Sequence, residues 1–195
     1  MTLYTDNADA ELADAIVQTK YWVEHAVVGL NLCPFAKSVL HTPRLRWVAS
    51  DARTEDALLA DLDAELSYFA QQDSKTLETT LLIHPYVLTD FMAFNDFNEI
   101  IDALILAREE EGIFQVAQFH PQFQFSDTQA NAPENYTNRA PFPTLHLLRE
   151  ESLSEALETF PNPDSIFENN IQTMQKLGLN KIRALYHGGR LPGEG

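Results

Sequence analysis

Short apolar strands alternate with amphipathic helices through much of this chain, and this alternation constrains the fold more than any other feature. The predicted strands are residues 45–50, 79–84, 113–119 and 143–148. Residues 54–71 and 90–111, which lie between the first three of them, carry apolar side chains at helical spacing. Strands and helices in this order form a partly parallel sheet covered by helices. We therefore predict an α/β fold bordering on α+β, a two- or three-layer sandwich with a mixed four-stranded sheet.

Capping residues mark the expected ends of the helices. Thr54 and Asp90 stand where a side-chain oxygen can accept from the first free N–H groups of the two central helices. A further helix is predicted over residues 10–28, and a last one over residues 162–177. Gly178 follows that last helix, where a left-handed residue commonly ends a helix.

The length of 195 residues is enough for one domain with a substantial core. Apolar residues make up 45% of the chain, which excludes a disordered protein. The pattern has no repeat and no linker, so we expect a single domain over residues 1–195. The glycine-rich segment 187–195 is expected to be a loose C-terminal tail.

The formal net charge of −16 argues against nucleic acid as a partner, because phosphate binding needs clustered Lys and Arg. The same charge disfavours anionic membranes, and no apolar run is long enough to span a bilayer. The N-terminal residues do not resemble a signal peptide, and Cys33, the lone cysteine, has no internal partner for a disulfide. A reducing, cytoplasmic location is therefore expected. The sequence leaves the oligomeric state open.

The connection at residues 122–141 is too long for a simple turn, and connections of that length are usually functional or disordered. His120 precedes it and His146 lies in the strand after it. If these two strands pair, the two imidazoles are expected to meet near the strand ends. Both are candidates for general acid–base catalysis because a free histidine titrates near neutrality. The alternative is a structural role for each.

Arg139 and Arg149 are candidates for binding a carboxylate or phosphate, because a guanidinium can donate two parallel hydrogen bonds to such a group. Asn138 lies beside Arg139 in the loop and is assigned to the same substrate-binding set. Asn170 falls within the apolar stripe of the last helix, where a buried amide needs a partner, either the proline-rich loop or a ligand. The alternative is that both arginines stabilise the fold.

Cys33 is a candidate nucleophile because Pro34 suits the first position of a short helix, which would place the thiol at a helix N-terminus. The run from Cys33 to Ala36 resembles the active cysteine of some thioredoxin-like transferases, although there it follows a strand and here it follows a helix. A buried, unreactive cysteine is the alternative. A mononuclear metal site of Cys33, His120 and His146 is a minor hypothesis, and no metal is assigned because the usual ligand motifs are absent.

Several motifs together resemble a bacterial family known as a domain of unknown function, DUF1415. They are Asn-Leu-Cys-Pro-Phe-Ala at residues 31–36, Phe-His-Pro at 119–121, Thr-Asn-Arg-Ala-Pro-Phe-Pro at 137–143, Leu-His-Leu-Leu-Arg-Glu at 145–150 and Asn-Asn-Ile at 169–171. The resemblance extends over nearly the whole chain. It implies a small, cytoplasmic bacterial protein, and it implies no activity, cofactor or catalytic residue.

Two functions follow as hypotheses. The first is an enzyme that binds a small anionic metabolite in a pocket under the loop at residues 120–143, with His120, His146 and Cys33 as catalytic residues. The second is a non-catalytic module that binds a protein or a second copy through the aromatic and proline-rich part of that loop. An exposed aromatic patch would favour the second hypothesis.

Overall fold

The computed structural model describes residues 10–158, 162 and 165–186, and its centre is a mixed four-stranded sheet. The strands are β1 Leu45–Ala49, β2 Thr79–Ile83, β3 Phe114–Phe119 and β4 Thr144–Arg149. Their order is β1-β2-β4-β3, with β1 and β2 parallel and β4 antiparallel to both of its neighbours. The predicted mixed four-stranded sheet is confirmed.

Helices cover both faces of the sheet. Those in the described part are α1 Ala10–Trp22, α2 Ala36–Val39, α3 Glu55–Ala70, α4 Phe91–Ala107, α5 Glu150–Glu158, α6 Ser165–Leu177 and α7 Leu179–Tyr186. A π-helical segment, Val23–Val28, continues α1, and a 3₁₀ helix, Pro133–Thr137, lies within the long loop. The arrangement has three layers and confirms the α/β prediction. No helix among the described residues is both long and apolar enough to cross a membrane.

The first face of the sheet packs against α3 and α4. Both helices begin as expected, because the Thr54 hydroxyl accepts from the N–H of Ala57, and the Asp90 carboxylate accepts from the first turn of α4. The apolar stripe of α3 is fully buried in this core. It consists of Leu58, Leu62, Leu66 and Phe69, each 0% exposed.

The second face packs against α1, the π-helical segment, α6 and α7. Trp22, Met174 and Tyr186 are buried together here. Tyr186 donates a hydrogen bond to the Tyr136 carbonyl, so α7 is joined to the 3₁₀ helix of the long loop. This face also carries an open space near β4, which holds the candidate site.

The first and last predicted helices end at residues 28 and 177 as expected, but the structure differs from the prediction at the residues that follow them. Gly29 directly follows the helix predicted over residues 10–28, where a left-handed glycine commonly ends a helix, but its φ of −61° is not left-handed. A side chain at Gly29 would instead collide with the carbonyl oxygen of His25, which lies within the π-helical segment. Gly178, with φ of +75°, does end α6, but a further helix, α7, begins immediately after it. The tail predicted at residues 187–195 lies outside the described residues, and the single-domain expectation stays a prediction.

Candidate functional site

The two histidines proposed for catalysis lie on opposite faces of the sheet. In the antiparallel pairing of β3 with β4, His146 stands opposite Ala117. Paired residues share a face and side chains alternate along a strand, so His120, three residues after Ala117, points to the other face. Its ring lies 5.0 Å from the Phe94 ring of α4. The expected meeting of the two imidazoles is wrong, and the strand register is the reason.

His120 is fully buried and both of its ring nitrogens have partners. Nε2 donates to the Leu88 carbonyl at 3.2 Å, and Nδ1 accepts from the backbone N–H of Gln122 at 3.0 Å. This pattern requires the neutral imidazole. Burial lowers the pKa of His120, which agrees with the neutral form. His120 therefore holds the start of the long loop against the segment that precedes α4.

Arg139 is bound by the loop to which it belongs. Its Nε donates to the Phe123 carbonyl at 3.0 Å and one terminal nitrogen donates to the Ala130 carbonyl at 2.6 Å. The guanidinium also lies over the Tyr136 ring, 4.5 Å from its centre. These contacts connect distant parts of the loop. The donors that could bind an anion are directed at backbone oxygens instead.

Arg149 lies on the first face of the sheet, at the C-terminal end of α3. It donates to the carbonyls of Leu77, Phe69 and Gln72 at 3.1, 2.9 and 2.8 Å. Its guanidinium carbon is 4.2 Å from the centre of the Phe69 ring. Free carbonyls at a helix end require donors, and Arg149 supplies them. Arg149 and Arg139 therefore do not form a shared anion pocket.

The long loop is held by its own hydrogen bonds. The Asn138 carbonyl accepts from the backbone N–H of His120, and its side-chain oxygen accepts from the Thr137 hydroxyl. Asn135, which the sequence analysis did not single out, is fully buried. Its side chain accepts from the Phe125 N–H and the Thr128 hydroxyl and donates to the Gln129 carbonyl. The loop is thus a compact structure, and its polar side chains bond mainly to its own backbone.

A mostly apolar cavity of about 350 Å³ lies on the second face of the sheet, where His146 points. Its walls come from α1 and the π-helical segment, from the Cys33 turn and α2, from the starts of β1 and β2, from β3 and β4, and from α5. Cys33 and His146 both line it, and Arg149, although its Nε and one terminal nitrogen bond to carbonyls on the first face, also borders it. The fold thus brings together two of the three residues proposed for catalysis, on the face opposite to His120.

His146 has a defined protonation pattern. The Thr79 hydroxyl donates to the Leu147 carbonyl at 2.7 Å, and the same oxygen lies 2.7 Å from His146 Nε2. A hydroxyl has one hydrogen, so Thr79 must accept from Nε2–H. Nδ1 then carries a lone pair, and no described residue donates to it. Burial lowers the pKa of His146 to about 4, so the imidazole is neutral at physiological pH.

Cys33 is half-buried in the turn that precedes α2. The assigned helix begins at Ala36, two residues later than predicted, but the backbone N–H groups of Phe35 and Ala36 still point toward the sulfur. Burial raises the pKa of the Cys33 thiol, and this outweighs the two N–H groups, which favour the thiolate. The thiol is therefore protonated at neutral pH. The cysteine follows a π-helical segment and precedes a helix of four residues, unlike the thioredoxin-like arrangement.

Asn170 of α6 fixes the turn that carries Cys33. Its side-chain nitrogen donates to the Leu32 carbonyl at 2.7 Å. The expected partner was the proline-rich loop or a ligand, and the observed partner is neither. Leu32 directly precedes Cys33, so this hydrogen bond fixes the turn at the edge of the cavity.

The family match agrees with the motifs quoted above. The family described as Protein of unknown function (DUF1415) matches residues 14–184. The chain belongs to the DUF1415 family. No curated protein and no solved structure matches it. Membership of DUF1415 thus confirms the resemblance seen in the sequence and assigns no reaction.

Thr79 is a residue of this site that the sequence did not reveal. In the sequence it is one of several β-branched residues of a buried strand, and such residues are ordinary there. Only the pairing of β2 with β4 shows that its hydroxyl bonds to His146. Arg44 and Glu78 form an ion pair at 3.3 Å and also border the cavity. The sequence does not indicate this pair, because it too depends on how distant segments pack.

The proposed metal site of Cys33, His120 and His146 cannot assemble, because the sheet separates His120 from the other two. Within the described ranges, no three His, Cys, Asp or Glu side chains converge on a common point. The catalytic and substrate-binding roles assigned to the individual residues stay predictions.

Proposed function

We propose that this DUF1415 protein binds a small, predominantly apolar molecule in the cavity lined by Cys33 and His146. The size of the cavity supports this, because about 350 Å³ lies within the range of small-molecule sites. Its lining is mainly aliphatic and aromatic, including Val27, Leu81 and Phe119. Such a lining stabilises a ligand by removing apolar surface from water.

The His146 acceptor adds specificity to this apolar site. Its Nδ1 lone pair has no donor among the described residues, and its proton is held on Nε2 by Thr79. A ligand with one N–H or O–H group would satisfy this nitrogen. The ligand class is therefore an apolar molecule with a single hydrogen-bond donor. The observation that carries the proposal is the hydrogen bond between His146 Nε2 and Thr79, which leaves Nδ1 as an acceptor.

Binding fits the protonation states better than catalysis does. A protonated Cys33 thiol is a weak nucleophile, and an imidazole whose pKa is about 4 is a poor base for removing its proton. An anionic metabolite held by Arg139 and Arg149 receives no support, since both side chains are directed at backbone carbonyls. A reducing, cytoplasmic and bacterial setting remains part of the proposal.

The alternative of a protein-binding module receives little support from the loop aromatics. The rings of Phe123 and Phe125 are half-buried and pack edge to face, 4.8 Å apart. Phe123 also contacts Phe91 at 5.3 Å. These rings are engaged with one another, and such contacts belong to a packed loop.

N-phenyl-1-naphthylamine is a suitable probe, because it is neutral, apolar and carries one N–H donor. Its fluorescence should rise on binding, and the rise should saturate. Ala117→Leu fills the cavity from β3 and should abolish the signal, whereas Ala103→Leu on the exposed side of α4 should not. An Ala117→Leu protein that is folded by circular dichroism and binds the probe normally would refute the proposal.

A second pair of variants tests the His146 acceptor. His146→Gln keeps a donor near Thr79 but removes the Nδ1 acceptor, and it should weaken probe binding roughly tenfold, the value of one hydrogen bond. N,N-disubstituted probes that lack the donor should bind both proteins equally. Equal affinity of wild type and His146→Gln for the N–H probe would exclude the acceptor role.

A further inference from the structure

A second hollow, of about 550 Å³, lies at the outer edge of β1 and is lined by three cations. Lys20 comes from α1, Arg46 from β1, and Lys75 from the segment that precedes β2. The chain has 13 basic residues, so nearly a quarter of them border this one hollow, and no acidic side chain belongs to its lining. The concentration is unexpected in a protein with a net charge of −16.

Two of these cations form no ion pair. Neither Lys20 nor Lys75 makes a salt bridge to any described residue. The Lys20 ammonium lies over the Trp47 ring, 5.6 Å from its centre, and this contact keeps it above the hollow. Both lysines are exposed and retain their donors for a ligand.

Arg46 is the fixed element of the hollow. Its Nε and one terminal nitrogen each donate to Glu65 at 3.0 Å, and Glu65 is 1% exposed. The guanidinium also lies 4.7 Å from the centre of the Tyr68 ring. These contacts hold the group rigidly, and the other terminal nitrogen has no hydrogen-bond acceptor among the described residues. Because Glu65 neutralises Arg46, the local excess charge is carried by the two lysines.

Two carboxylates lie close to the hollow without belonging to its lining: Glu65, which Arg46 neutralises, and Asp73, which accepts from the Lys75 backbone N–H at 2.7 Å. The C-terminal carbonyls of α3 border it and carry the negative end of the helix dipole, but those of Phe69 and Gln72 accept from Arg149. The remaining negative charge of the protein is screened beyond roughly 8 Å at physiological ionic strength. Of the charged side chains near the hollow, only cations belong to the lining itself.

We propose that this hollow binds the phosphate group of a small phosphorylated molecule. A dianion matches the two unpaired lysines in charge, and the free nitrogen of Arg46 supplies a directed donor. The Trp47 and Tyr68 rings line the same hollow and provide apolar surface for the rest of such a molecule. The inference does not depend on the Cys33–His146 cavity.

Phenyl phosphate and inorganic phosphate are the probes, titrated at constant ionic strength set with sodium chloride. Phosphorus NMR line broadening measures binding directly, and Trp47 fluorescence reports it because Lys20 covers that ring. Saturable binding is expected with both probes, and it should be tighter with phenyl phosphate because the Trp47 and Tyr68 rings supply apolar surface. The double variant Lys20→Gln with Lys75→Gln should weaken binding at least tenfold.

The matched control removes two exposed lysines elsewhere, through Lys176→Gln on α6 and Lys181→Gln on α7. It changes the net charge equally and should leave the affinity within twofold of wild type. Equal weakening in the two double variants would mean a general charge effect and would overturn the proposal. Failure of both probes to saturate at millimolar concentrations would overturn it as well.

Discussion

Asn170 and Leu32 are 138 residues apart in the chain, and the Asn170 side chain donates a hydrogen bond of 2.7 Å to the Leu32 carbonyl. The bond links α6 to the turn that presents Cys33 to the cavity. The carbonyl belongs to a buried residue, and removing its donor would leave it without this partner.

Asn170→Ala should lower the free energy of unfolding by roughly 1–2 kcal/mol, the cost of one lost hydrogen bond to a buried carbonyl. It should also speed modification of Cys33 by a disulfide reagent, because the turn is released. Urea denaturation and the rate of thiol release measure the two effects. Asn169→Ala, at the exposed neighbouring position, should change neither. Equal effects of the two substitutions would contradict the role of the Asn170 bond.

Cys33 should react slowly with iodoacetamide at neutral pH. Burial raises the pKa of its thiol, so the thiolate fraction is smaller than in a free thiol. We expect a rate below that of glutathione measured alongside, with a pH midpoint displaced upward. Mass spectrometry of the alkylated protein gives the rate. A rate above that of glutathione would show an activated cysteine and would restore the enzyme hypothesis.

Arg149→Lys should lower the free energy of unfolding by roughly 2–3 kcal/mol. Lysine keeps the charge but cannot supply the planar set of donors that reaches the Leu77, Phe69 and Gln72 carbonyls. Arg183→Lys, at an exposed position of α7, should be close to neutral. The shift in the urea midpoint provides the measurement. If the Arg149→Lys protein were as stable as wild type, the fold would need only a positive charge at this position. That result would favour an anion site instead of a structural role.

His84 should make the protein less stable as the pH falls below 6.5. Burial lowers its pKa to about 4, so the unfolded chain takes up a proton in this window and the folded chain does not. Stability is therefore highest above pH 6.5, and this residue removes up to about 1.4 kcal/mol per pH unit as the pH falls toward 4.

His84→Asn keeps a donor for the Val87 carbonyl, which His84 Nδ1 contacts at 3.0 Å, and cannot be protonated. Between pH 7 and pH 5, wild type should lose roughly 2 kcal/mol more than this variant. Urea denaturation at the two pH values measures the difference. His41→Asn, at an exposed site, should follow wild type. Parallel pH curves for wild type and His84→Asn would contradict the assignment.

Local features were predicted well because they depend on neighbours in the chain. The caps at Thr54 and Asp90 and the buried stripe of α3 follow from side chains a few residues apart. The helix α7 was missed because Gly178 signals an end, and no capping side chain announces the helix that follows. What makes α7 stable is the burial of Ile182 and Tyr186 against the second face, which is a tertiary contact.

The sequence by itself determined the strands, most helices, the mixed α/β architecture and the family. The tertiary structure decided which side chains meet. The β3–β4 register sends His120 and His146 to opposite faces, and the cavity joins His146 to Cys33. The tertiary structure also directs the Arg139 and Arg149 side chains to backbone carbonyls instead of to a common ligand. The physical reason is that alternation along one strand is local, whereas register and the partners of long polar side chains depend on segments distant in the chain.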